Sequence, residues 1–250
     1  RNLTNNEQHA HFSVDDVFDS LVNLTENDYE SIFEEEHFRF LKELHDSYDI
    51  VVSCYVFFEN DDLNLTNITD KYAEEFESNA DWLKFGFHSI NADFNYGKAD
   101  EEKAYSDYTK VIEQLLRITG SEESIDRTVR LHNYAVSDEA LYGFRKAELG
   151  VENLLSPDDE RLAYNLNIED TSYLYNYAYF SNGDMNYIKT DIRVESVENI
   201  IGFYDEFITN DNVNNPLIIF THEKWLLDDD IQERLHQLFK FAEDYRFRFF

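Results

Sequence analysis

The sequence predicts an α/β fold on one mostly parallel sheet, open or closed into a barrel, in a single domain spanning residues 1–250. Three observations carry this. Apolar, β-branched or aromatic runs recur along the whole chain, helix-period segments separate them, and no Pro- or Gly-rich linker divides it, with only 2 Pro and 7 Gly in all. Alternation of this kind, with right-handed crossovers, lays strands parallel. A chain of 250 residues is long enough for one barrel-sized core.

About seven strands are read, at residues 9–14, 50–58, 82–87, 128–131, 151–155, 187–188 and 217–220. Between them run amphipathic helices. Tyr108, Val111, Ile112, Leu115 and Leu116 form one apolar stripe, stopped by Gly120. Ala140, Leu141, Phe144 and Ala147 form another, ended by Gly150; Ile231, Leu235, Leu238, Phe239 and Ala242 form the last. The Tyr-rich stretch 173–180 interrupts the rhythm. It reads first as a buried strand, and alternatively as an aromatic wall over the sheet rim that stacks on a sugar ring.

Composition narrows the partners. Asp and Glu number 53 against 21 Lys and Arg, a net charge of −32. Nucleic acid and anionic membrane surfaces both need clustered basic residues, so neither is expected as a partner. Hydrophobic residues at 42% and aromatics at 16% provide a core and argue against disorder. The single Cys54 forms no intrachain disulfide and fits a reducing compartment, so a cytoplasmic location is expected, with a disulfide-free secreted protein as the alternative. No leader-like start or membrane-length apolar run is read. Glycosylation sequons at Asn2, Asn23, Asn64 and Asn67 are taken as chance in so Asn-rich a chain.

Chemistry-bearing residues follow four of the strand-like runs: Asp15-Asp16, His88, Arg130-Leu131-His132 and Thr221-His222-Glu223. In parallel α/β folds, residues just past the carboxyl ends of strands gather on one rim, where sites form. Two carboxylates and three imidazoles there suit a divalent metal with acid and base beside it. Each word also has a bland reading: Asp15-Asp16 as a helix cap, and each histidine as one satisfied by backbone. A buried Arg130 or Arg193 would orient a carboxylate, unless it is an ordinary surface ion pair. His37, His45 and His236 read as surface residues of helices, and His9 and His11 as lying away from the rim. No His-Glu-x-x-His, Cys-x-x-Cys, Gly-x-Ser-x-Gly, Walker loop or Gly-x-Gly-x-x-Gly occurs, which demotes zincins, zinc ribbons, α/β-hydrolases, P-loop enzymes and dinucleotide binders.

Phe12-Ser13-Val14-Asp15-Asp16 resembles the first motif of polysaccharide deacetylases, an Asp pair after the first strand. Phe85-Gly86-Phe87-His88-Ser89 resembles their second, Arg130-Leu131-His132 falls where their Arg-containing third belongs, and residues 217–222 resemble the last, an apolar strand ending in His. The resemblance spans most of the chain in order. It implies a distorted (β/α) barrel, a divalent metal (usually zinc), and hydrolysis of an N- or O-acetyl group on a carbohydrate. By position, Asp15 is the general base, Asp16 and His88 are metal ligands, and His222 is the general acid. The family's further ligand His, four residues after His88, is Ala92 here. Either His132 or Asp93 would replace it, and His132 is favoured. Asp191 and Arg193 are expected to stand in for the acidic fourth motif, and Glu223 to help orient the substrate. Two other functions fit the same residues: a catalytically silent carbohydrate-binding descendant, suggested by Ala92, and another metal-assisted hydrolase sharing only the rim geometry.

Overall fold

The computed structural model describes residues 8–159, 161–209 and 215–250; of the four sequons, Asn2 lies outside these. In chain order the elements are β1 (Gln8–Val17), α1 (Asp19–Glu26), α2 (Glu36–Tyr48), β2 (Val52–Phe57), β3 (Glu59–Asn60), β4 (Leu63–Asn64), α3 (Ala73–Ser78), β5 (Leu83–Ser89), α4 (Glu101–Thr119) and β6 (Thr128–Val129). There follow α5 (Asp138–Lys146), β7 (Asn153–Leu155), α6 (Ile168–Tyr177), β8 (Tyr179–Ser181), β9 (Asn186–Ile188), β10 (Ile192–Arg193), α7 (Ile200–Thr209), β11 (Leu217–His222), α8 (Asp229–Asp244) and β12 (Phe247–Phe249).

One parallel sheet runs β10-β11-β1-β2-β5, with β12 also on β1; a second runs β6-β7-β9-β8, where only β8 is antiparallel. A parallel bridge from Phe85 to Ile125 ties β5 to the segment entering β6, and β9 leads within four residues into β10. The two sheets thus curve into a distorted barrel with helices outside, and each of the seven expected runs contains one of its parallel strands.

Strand alternation sorts side chains between the helices and the barrel interior. On β1, Phe12 faces α8 with its ring 5.0 Å from Phe239, while His11, Ser13 and Asp15 face inward. On β5, Phe85 packs on Phe38 and Phe76, and Phe87 on Tyr108 and Phe144. Each such buried ring stabilises the fold by about 1.5–3 kcal/mol. Helix α4 forms as its stripe requires. The Asp100 carboxylate accepts the Lys103 N–H at 2.8 Å at its start, and Gly120, at φ 73, ends it with an N–H donated to Leu116 O.

Several expectations need correction. The Asp pair, His88 and His222 lie inside β1, β5 and β11 rather than beyond their ends, because the ladders continue past the apolar runs: Asp15 pairs with His222 across β1 and β11. Residues 173–180 form no buried strand. They end helix α6 and enter β8, leaving Tyr173, Tyr177 and Tyr179 exposed. The Asn167 cap and the acidic first turn favour the helix over the period-2 spacing of the tyrosines. Helix α5 stops at Lys146 with Ala147 as its cap, three residues before Gly150. The helix histidines are not free surface residues. His37 contacts Glu35 at 2.9 Å, His45 stacks on Trp82 at 4.3 Å and donates to Ile50 O, and His236 meets the Tyr48 hydroxyl at 3.0 Å. His11 does lie away from the rim, buried 3.3 Å from Asp126. Among the described residues, no helix is long and apolar enough to cross a membrane.

Gly86 faces inward between two bulky neighbours: a Cβ there would meet the Tyr55 ring at 2.9 Å and Asp126 O at 3.4 Å. Tyr55 is fully buried and donates its hydroxyl to Thr128 O at 2.7 Å, so its ring has no room to retreat. Gly86→Ala is therefore expected to destabilise by about 1–3 kcal/mol in urea unfolding. An unchanged midpoint would mean the interior is looser than these distances imply.

Candidate metal and acid–base site

The geometry of β1 sets the site. Ser13 and Asp15 point inward by alternation, which would send Asp16 outward. The β1–β2 register shifts between Val14 and Val17, and Asp16 takes the left-handed conformation, φ 61. A bulge of this kind re-aims side chains. Here it turns Asp16 to the rim while Asp15 stays buried. Asp tolerates the left-handed region better than most residues do.

Asp16 Oδ1 lies 3.1 Å from His88 Nε2 and 3.5 Å from His132 Nδ1, and the two nitrogens are 3.3 Å apart. Three electron-pair donors this close repel one another unless a proton or a cation sits among them. Donors around a tetrahedral divalent zinc, at 2.0–2.1 Å, are themselves separated by about 3.3 Å. The set therefore fits such an ion. Its tautomer is fixed too: His88 Nδ1 donates to Arg130 O at 2.5 Å, leaving Nε2 with a lone pair toward Asp16. Burial alone would raise the Asp16 carboxyl, but the imidazoles of His132 and His88 hold it far below the usual carboxylate range. His132 is carried on a tight turn in which Asn133 and Tyr134 both have positive φ, 65 and 51. Phe57 packs against both imidazoles, each ring centroid 5.1 Å away.

Beneath the rim, Arg130 is completely buried. Its Nη1 donates to Ser13 Oγ at 2.8 Å and Asp15 Oδ1 at 3.0 Å, Nη2 donates to Thr190 Oγ1 at 3.0 Å, and the guanidinium lies 3.8 Å over the Phe220 ring. Across the ladder from Asp15, His222 Nδ1 bonds Glu195, whose other oxygen accepts from Thr221 Oγ1 at 2.9 Å. Burial pushes the His222 imidazole down, yet Glu195 and the charges of Asp15 and Asp16 carry it above its ordinary value. The same bond keeps Glu195 low against the upward push of burial.

The chain is similar to three solved structures along nearly its whole length. One is the Xyl-CE4 domain of a multidomain xylanase from the hindgut metagenome of Trinervitermes trinervoides, with 8% identity, TM-score 0.54, and 98% of this chain and 87% of that one covered. A second is a family 4 acetyl xylan esterase from Clostridium thermocellum in complex with a cobalt ion, with 10% identity, TM-score 0.54, and 97% and 87% covered. The third is a T48 deacetylase with substrate, with 10% identity, TM-score 0.53, and 98% and 88% covered. This is the polysaccharide-deacetylase fold. No protein-family model matches the chain, and no curated protein matches it in sequence.

Within this deacetylase-type barrel the structure brings Asp15, Asp16, His88, Arg130, His132 and His222 to one end. It does not bring the others. Asp93 is exposed in a loop, its N–H donated to Asn91 Oδ1. Arg193 pairs with Asp158 at 3.2 Å, with no contact to Asp15 or Asp16. The Asp191 side chain is largely covered where it accepts the Ile218 N–H at 2.9 Å, and desolvation pushes its carboxyl up to about 6. Glu223 caps helix α1, accepting from the Phe18, Asp19 and Ser20 N–H groups and from Ser20 Oγ. The sequence reading missed Glu195, Ser13 and Thr190. Glu195 follows the two-residue strand β10, too short to show any periodicity.

Removing Arg130 leaves a buried carboxylate without its charge partner. Arg130→Met is expected to cost about 3–5 kcal/mol of stability. Adding Asp15→Asn should recover part of that loss in thermal or urea melts, whereas strictly additive losses would mean the pair is not coupled.

Proposed function

We propose that this chain is a metal-dependent hydrolase that removes an N- or O-acetyl group from a carbohydrate. The observation that carries the reading is the Asp16–His88–His132 donor triangle flanked by Asp15 and His222, which are paired across neighbouring strands. Deacetylase and acetyl esterase names among the structures of the same fold support the reaction class. His132 supports the hydrolase over a silent sugar-binding descendant, because it provides the third donor that Ala92 lacks.

Asp16, His88 and His132 would hold the ion, and two imidazoles with a carboxylate suit zinc among other divalent transition metals. When bound, a divalent ion polarises the acetyl carbonyl and makes water more acidic. Asp15, oriented by Arg130, takes the proton of the attacking water. His222, held by Glu195, delivers a proton to the departing sugar nitrogen or oxygen, so that acetate and the free amine or alcohol result. Arg130 and Thr190 act through Asp15 as positioning residues.

Purified protein is expected to carry near-stoichiometric divalent metal by plasma mass spectrometry. His88→Ala and His132→Ala should each lose it while Asp93→Ala retains it; retention in His132→Ala would remove the proposed third ligand. Asp15→Asn and His222→Ala should keep the metal and lower kcat by about 10²–10⁴.

The pH profile follows from the raised imidazole. His222 must be protonated to act as an acid, so its activity is full at low pH and lost as pH rises through its elevated pKa. The alkaline limb should therefore lie above the ordinary histidine value of about 6.5. Glu195→Gln should move that limb to lower pH. A limb that stays in place would assign the proton to another group.

A further inference from the structure

The turn that carries His132 is held from outside by one residue further along the chain. Within the turn the Tyr134 N–H donates to Leu131 O at 3.1 Å, and no side chain caps its start. Asn133 and Tyr134 both have positive φ, a conformation that persists only where surrounding contacts enforce it. Tyr164, buried in the segment between β7 and α6, grips both ends of the turn. Its N–H donates to Tyr134 O at 2.7 Å. Its hydroxyl accepts from the Leu131 N–H at 3.3 Å and donates to Leu155 O at 2.5 Å. Tyr164 itself has φ 60, which a bulky side chain rarely adopts.

That hydroxyl occupies a telling place. Strands β6 and β7 pair in parallel, Thr128 with Asn153 and Val129 with Leu154. Leu131 N–H and Leu155 O lie just past this register, where a continued ladder would join them directly. The Tyr164 oxygen stands between them instead and props the exit of β6 off the end of β7. Its ring is seated against Tyr134 and Tyr187, with centroids 6.3 and 6.2 Å away, so the oxygen has a fixed position. His132 follows Leu131 directly and places Nδ1 3.5 Å from Asp16 Oδ1.

We infer, on the metal reading above, that Tyr164 is a positioning residue for the third metal donor and sets the affinity of the site through the backbone on either side of His132. Bonds from zinc to nitrogen are about 2.0–2.1 Å long, so a small shift of the turn is felt at the ion. Without the phenol oxygen, Leu131 N–H and Leu155 O close on each other and draw the turn toward β7. His88 and Asp16, carried on β5 and β1, keep their places.

Tyr164→Phe deletes that oxygen and keeps the ring. Metal-free protein is titrated with Co²⁺ alone, whose visible absorption band reports the number and geometry of its ligands. Wild type is expected to bind one ion and His132→Ala to lose the band. Tyr164→Phe should bind about 10–100-fold more weakly, with a band altered toward that of His132→Ala. Tyr187→Phe, which removes a comparable hydroxyl bond to Asn165 Oδ1, should bind as wild type does and so separates positioning from general loosening. If Tyr164→Phe keeps the wild-type affinity and band while His132→Ala loses them, or if Tyr187→Phe weakens binding as much, the inference is overturned and the metal reading stands. If wild type takes up no Co²⁺, or His132→Ala binds it fully, the third ligand falls and the inference with it. Should Tyr164→Phe fail to fold, hydrogen exchange on wild type decides: Co²⁺ is expected to slow the Leu131 and Tyr164 amides, and unchanged exchange at both overturns the inference.

Discussion

A guanidinium sealed inside a barrel has no water to satisfy it, and that constraint organises everything near it. Arg130 is wholly buried, and its partners come from three separate segments of the chain: Ser13 and Asp15 on β1, Thr190 before β10, and the Phe220 ring on β11. Thr190 in turn donates to Ser156 O after β7. Charge burial without such partners would cost several kcal/mol, so the pairing fixes how these strand ends sit relative to one another. The arginine's own carbonyl extends the constraint upward by accepting from His88 Nδ1, which leaves Nε2 facing Asp16. One residue therefore orients Asp15 with its side chain and a metal-ligand candidate with its backbone.

The donor triangle brings a second imidazole to the rim where position 92 offers none. Ala92 has no donor atom, but the turn after β6 bends through two left-handed residues and brings His132 to within 3.5 Å of Asp16. Backbone in that region costs about 1–3 kcal/mol per residue and persists only where surrounding contacts enforce it. Here Tyr164 supplies them: its N–H donates to Tyr134 O at 2.7 Å, and its hydroxyl accepts from Leu131 N. On the opposite side the Asp15–Asp16 bulge does matching work, splitting two adjacent carboxylates between a buried position and a half-buried one at the rim.

Much of this was legible in the sequence because it depends on pattern. Apolar runs mark each long strand of the barrel and helical stripes mark α4, α5 and α8, and polar residues at the ends of those runs mark the rim. What escaped depends on geometry that no period encodes. The bulge at Asp16 arises from strand pairing, not from composition. Strand β10 is two residues long, so Glu195 carried no signal as the partner of His222. Glu223 looked like part of the site because it follows His222, but a helix start with four unsatisfied donors binds its carboxylate more strongly than an open rim would. The tyrosines of residues 173–180 misled by chance alternation; local capping decided that segment.

The central position of β1 also dictates how the molecule comes together in time. Its neighbour β11 lies some 200 residues downstream, with Phe18 bonded to Glu223 across 205 residues. Closing a loop that long costs on the order of 5 kcal/mol of chain entropy before any contact compensates. Contacts of such high sequence separation form slowly. Asp15 and His222 meet only when that ladder zips, so a nascent or partly folded chain holds every side chain of the candidate site but not the site itself. Closure of the barrel and assembly of the candidate site are then a single event, and incomplete folding intermediates lack it.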